Sequence, residues 1–146
     1  MPPRPAAPAD RERIRDLIPV EARDNFDRLP PEADAQMMVL DNDDGSLRGA
    51  LTAQSRAYGM FLQTILLTRG TDPEGFRLLL LGLARHALTL GHVRAQARTT
   101  DRAIMLFLVR RYGLVATVVG TRDGKPVEWT FDVDLAEFAA TLEAAA

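Results

Sequence analysis

Few side chains in this 146-residue sequence could carry chemistry by themselves, and the most suggestive grouping is a loop. Residues 66–76 read "LLTRGTDPEGF", an apolar strand end, a glycine turn and the start of a long helix. A strand, a glycine-bearing loop and a helix N-terminus together form a common anion cradle, because free backbone N–H groups and the helix dipole both favour negative charge there. Here the loop brings its own acids, Asp72 and Glu74, and Pro73, which has no N–H to offer.

Other groupings are narrower. Cysteine is absent, so disulfides, thiolate nucleophiles and cysteine metal sites are excluded. His86 and His92 stand six apart with a helix end between them, which is not the i,i+4 spacing of a metal pair. "DNDDG" (41–45) lacks the remaining ligands of a calcium loop and reads as a solvated hairpin tip. Arg94, Gln96 and Arg98 alternate along a strand and form a face that could take an anion such as phosphate or carboxylate. Glu128 and Asp132 alternate with Trp129 and Phe131 on a later strand, the inside-outside pattern of a half-buried strand.

The elements that must position these groups follow from periodicity. Residues 1–9 are rich in proline and alanine and read as a flexible arm, with no apolar run of a signal peptide. Asp10 is placed to cap a helix to about Ile18, and a second short helix is expected from Val20 to Leu29. Three antiparallel strands are expected next, around turns at 42–45 and 58–59. The strongest helix spans Pro73 to Leu90, with Asp72 as cap, Pro73 at the first position and Gly91 as stop. A strand at 93–99, a helix capped by Thr100 or Asp101 and ending at Gly113, two strands around Asp123-Gly124 and a short helix at 136–146 complete the chain. The strand–helix–strand crossover through the long helix calls for a parallel pair. The expected fold is therefore α/β (α+β), a mixed, mainly antiparallel sheet with helices on both faces. One domain over 10–135 with a helical tail at 136–146 accounts for the length.

Net charge is −2, so no global field recruits nucleic acid. No apolar run approaches the length of a membrane span. Together with the absence of cysteine, this suits a cytoplasmic protein.

The element order resembles the GNAT superfamily of N-acyltransferases over about residues 35–135. Its best part is "FRLLLLGLARHALTLGHVRAQARTTDRAIMLFLVRRYGL" (76–114): a leucine-rich helix ending in glycine, a strand, and a capped helix ending in Gly113-Leu114. The resemblance implies acetyl transfer from acetyl-CoA to a small-molecule or protein amine. It implies cofactor contacts from Leu66, Leu67, Arg69, Gly70, Thr71, Gly75 and Phe76. The family's pyrophosphate motif, [Q/R]-x-x-G-x-[G/A], falls on residues 71–76. There Thr71 replaces the Arg or Gln, Asp72 and Glu74 the glycines of its R-G-x-G-x-[G/A] form, and Phe76 the last small residue, so the loop is degenerate. The family's acid tyrosine would fall on Val109, so Tyr112 is the candidate on that helix, and Glu128 is the candidate base. The family's first strand has no evident counterpart in the proline-rich start. These departures support an alternative: a pseudoenzyme that works as a binding or assembly module, using Arg94, Gln96 and Arg98 and forming a homo-oligomer.

Overall fold

The computed structural model describes residues 2–28 and 37–146. In chain order these form β1 (Arg4–Pro5), α1 (Asp10–Leu17), a 3-10 turn (Val20–Ala22), α2 (Arg23–Asp27), β2 (Met37–Asp41), β3 (Leu47–Arg56), β4 (Gly59–Leu67), α3 (Pro73–Thr89), β5 (Arg94–Thr99), α4 (Arg102–Tyr112), β6 (Thr117–Arg122), β7 (Lys125–Asp134) and α5 (Leu135–Ala144). The strands make one sheet in the order β1-β2-β3-β4-β5-β7-β6. β4 and β5 are its parallel pair, and the other described neighbours run antiparallel. This is the mixed sheet expected, with the crossover carried by α3.

Local chemistry explains the boundaries. The Asp72 carboxylate accepts from Gly75 N–H, and Pro73 begins α3. Asp101 caps α4 by accepting from the N–H groups of Ala103 and Ile104, and Gly113 closes that helix in the left-handed region. Asp123 and Gly124 both have positive φ, which is the two-residue turn that joins β6 and β7.

The helices cover the two faces unequally. On one face α3, α4 and α5 bury a large core in which Leu40, Leu51, Met60, Leu79, Phe131 and Leu142 take part. On the other, Ile14 and Phe26 from α1 and α2 bury Met37, Val39 and Ala50, a smaller core over β2 and β3.

Three expectations are corrected. The missing first strand exists: Arg4 and Pro5 pair with Val39 and Met38 at the sheet edge, and Ala6 N–H donates to Met37 C=O at 2.7 Å. Two residues, one of them a proline, give no alternating pattern to read. The second helix is shorter than 20–29, beginning as a 3-10 turn and ending at Asp27, while Leu29 lies outside the described residues. The helix at the C-terminus starts at Leu135 and is no appendage, since Leu135, Ala139 and Leu142 are buried in the main core.

Asp10 likewise sits one residue inside α1, behind Ala9. Its carboxylate accepts from Arg4 at 2.7 Å, Arg13 at 2.8 Å and Ala7 N–H at 2.7 Å, and both arginines also reach Asp41. These contacts, that from Arg4 foremost, hold the buried Asp10 carboxyl down to about 2, against the opposing effect of burial. A depressed carboxyl stabilises the fold above its ordinary value and loses that contribution as pH falls through the folded one. Asp10→Asn should therefore cost about 2 kcal/mol at neutral pH. It should also flatten the loss of stability between about pH 4 and about pH 2, read by urea melts across that range.

Candidate functional site

The site begins as a defect in the sheet. Between β3 and β4 the register runs Thr52↔Thr64 and then Ala53↔Leu62, which leaves Gln63 as an extra residue in β4. The parallel ladder to β5 covers Met60↔Ala95, Phe61↔Gln96 and Leu62↔Ala97 and stops at that bulge. Beyond it β4 runs on to Leu67 beside β3, and β5 to Thr99 beside β7, without pairing to each other, so the two strands splay.

The splay holds a cavity of about 270 Å³. Leu62, Ile65, Ala97 and Phe131 line it from the sheet, Phe76 and Leu80 from α3, and Ile104 and Leu108 from α4. Gln63, Thr64, Gln96, Arg98 and Thr99 make its polar part. Two strand edges with ladder groups not bonded to one another, set over an apolar floor, suit an extended chain that carries amides along a hydrophobic backbone.

The loop from β4 to α3 forms one end of the site. Leu66 packs with the smaller core and Leu67 with the larger, while Arg69, Gly70 and Thr71 are exposed. Thr68 is tied back to Arg48 C=O through its N–H and its hydroxyl. Asp72 receives a two-point contact from Arg48, Nε to Oδ2 at 2.8 Å and Nη2 to Oδ1 at 2.9 Å. That guanidinium, more than any other contact, lowers the Asp72 carboxyl below the usual range, with burial opposing. Glu74 is paired with Arg77, whose Nη1 also donates to Leu142 C=O at 2.9 Å. Phe76, one turn in, reaches the cavity and stacks edge-on against Phe107 at 5.5 Å.

The structure brings Phe76 to the cavity and leaves the other site candidates around it. Tyr112 is 6% exposed and lies under the end of α4, edge-on to Phe107 at 5.7 Å, and it does not line the cavity. Its hydroxyl has no hydrogen-bond partner among the described residues, and burial raises its pKa. Glu128 lies on β7, 4.0 Å from Arg98. Arg94 pairs with Asp132 at 2.9 Å, so this strand face is matched by the protein's own acids. His92 meets the Ser55 hydroxyl, away from His86, and no group of metal-binding side chains occurs among the described residues.

Two features of the candidate site go beyond what the sequence announces. The Gln63 bulge had a signal: Leu62 and Ile65 pack on the same core three residues apart, and strand alternation allows that only with an inserted residue. Arg48 had none, because nothing local ties it to an acid 24 residues away.

No family model and no curated protein matches the sequence. Its structure does match solved proteins. An acetyltransferase of the GNAT family from Bacillus cereus superposes with a TM-score of 0.70 at 18% identity, covering 90% of this chain and 95% of that one. The spermidine/spermine N-acetyltransferase SpeG from Vibrio cholerae gives 0.66 at 14%, covering 94% of each chain. The protein yncA from Salmonella typhimurium, solved with its cofactor acetyl-CoA, gives 0.64 at 17%, covering 91% of this chain and 92% of that one. The chain has the GNAT fold, with a two-residue strand at the sheet edge and α5 closing the core. No described helix is long and apolar enough to cross a membrane.

Proposed function

We propose that the protein transfers an acyl group from a thioester to an amine, with the thioester's pantetheine-like arm laid in the β4–β5 splay. The observation that carries this reading is the splay itself: three parallel rungs, a bulge at Gln63, then an apolar cavity of about 270 Å³ between two unpaired edges. The fold shared with acetyltransferases supports it, and acetyl-CoA, the cofactor held by yncA, is the first donor to test.

The chemistry is direct attack of a neutral amine on the thioester carbonyl. The nitrogen lone pair forms the new C–N bond, the oxyanion of the tetrahedral intermediate meets backbone N–H at the bulge, the C–S bond breaks to release thiolate, and the surplus proton on the new amide nitrogen passes to that thiolate or to water. Arg98 is the only titratable residue among those lining the cavity, so the thiolate leaves without a dedicated acid there. Tyr112 then has a positioning part, supporting Phe107 and through it Phe76 on the cavity wall. Glu128, beside Arg98, takes the proton of the acceptor ammonium.

Glu128→Gln should lower kcat roughly a hundredfold near neutral pH with little change in donor KM, and the deficit should shrink as rising pH supplies free amine. An unchanged kcat would remove Glu128 from the mechanism. The direct test of the function is thiol release from acetyl-CoA in the presence of an amine panel; the chain has no cysteine, so a thiol reagent reads product alone. Absence of amine-dependent thiol release and of any thioester binding would sink the proposal. A binding module that uses the Arg94, Gln96 and Arg98 face is not favoured, because Asp132 and Glu128 already answer two of those residues.

A further inference from the structure

Resting on the acyl-transfer reading, the geometry points to a donor recognised by its pantetheine arm alone: Asp72 fills the anion place at the head of α3, so the nucleotide diphosphate of a coenzyme contributes little. The arm cavity is open, whereas the place for a phosphate is occupied by the chain's own carboxylate. Asp72 Oδ1 accepts from Gly75 N–H at 3.0 Å, and Arg48 clamps both carboxylate oxygens. A Cβ on Gly75 would stand 2.4 Å from Asp72 Oδ2 and 3.2 Å from Arg48 Nε, so the glycine makes room for this internal ion pair.

The rest of the helix head is equally committed. Pro73 has no N–H, and Phe76 N–H donates to Asp72 C=O. Glu74 N–H is the remaining first-turn donor, and its own side chain is an acid. The charges are balanced as well: Arg48 answers Asp72 and Arg77 answers Glu74, while Arg69 makes no ion pair among the described residues. A diphosphate would meet two carboxylates that Arg48 and Arg77 already hold, with the exposed guanidiniums of Arg69 and Arg111 acting on those same carboxylates, and the helix dipole is already answered by Asp72.

The consequence is a donor class. A thioester presented on a pantetheine arm, either as a small free molecule or attached to a carrier protein, satisfies the cavity as well as a full coenzyme does. Asp72 and Arg48 together act as the determinant, because removing the carboxylate would take its negative charge from the head of α3 and release Arg48 toward an incoming phosphate.

The test compares pantetheine with coenzyme A, titrated into the isotope-labelled full chain, whose amide shifts report millimolar affinities. In the wild type the two dissociation constants should agree within about threefold. Asp72→Ser, which keeps a capping oxygen and removes the charge, should strengthen coenzyme A binding by about tenfold or more and leave pantetheine unchanged. Asp72→Asn serves as the isosteric second variant should the serine chain fold poorly. Wild-type preference for coenzyme A above about thirtyfold, or no gain in either variant, would overturn the inference while leaving acyl transfer standing. No binding of either ligand would remove both. Transfer rates from free S-acetylpantetheine and from an acetylated carrier protein then separate the two sources: equal rates assign a free thioester, a carrier-dependent gain assigns the carrier, and either agrees with a nucleotide that has no part.

Discussion

Ala97→Phe should abolish thioester binding, by about a hundredfold or more, and leave the fold intact. Ala97 stands opposite Leu62 on the last rung of the parallel ladder and lines the cavity where the strands part. A benzyl group placed there occupies space that is now empty rather than space held by neighbours, so the usual overpacking penalty of about 1–3 kcal/mol should be largely avoided. Melting should shift by only a few degrees while arm binding and acyl transfer disappear together. Retained donor affinity in a folded Ala97→Phe chain would place the donor elsewhere.

The largest stability effect is expected at Gly59. It opens β4 at φ +138°, and a Cβ built there would lie 2.1 Å from Arg94 C=O. The clash is with backbone, so no rotamer change relieves it, and the left-handed φ adds its own strain. Gly59→Ala should cost roughly 3 kcal/mol, or about 10 °C in Tm, and should widen the β4–β5 contact that defines the site. Gly70→Ala is the control, since nothing lies within 4 Å of a Cβ at that position. Equal melting temperatures for the two variants would contradict this view of the strand junction.

The elements were legible where one residue type does one local job. Asp72-Pro73 and Asp101 announce helix starts, Gly91 and Gly113 announce stops, and Asp123-Gly124 announces a tight turn, all from chemistry within a few residues. Long-range pairings were not. The short β1 is a strand only because Met38 and Val39 offer it an edge, and Arg4 is held there by Asp10 and Asp41. The acids and proline of the loop at 69–76 announce a self-capped helix start, but its meaning depends on Arg48, brought over from β3. Tyr112 shows the opposite case: its type and rough position suggested a proton donor, while the twist of α4 buries its hydroxyl below the helix end. The site itself is a property of register, and a single residue inserted at Gln63 creates it.

The place where a pantetheine arm binds decides whether the β4–β5 splay is the site. Titration of the isotope-labelled protein with pantetheine, followed through backbone amide shifts, answers that question residue by residue. Saturable shifts should concentrate in residues 62–65 of β4 and 95–99 of β5, with smaller ones at Phe76 and Leu108 and none along β2. Shifts gathered on the open sheet face around Arg94 and Asp132, or no saturable shifts at all, would contradict that placement.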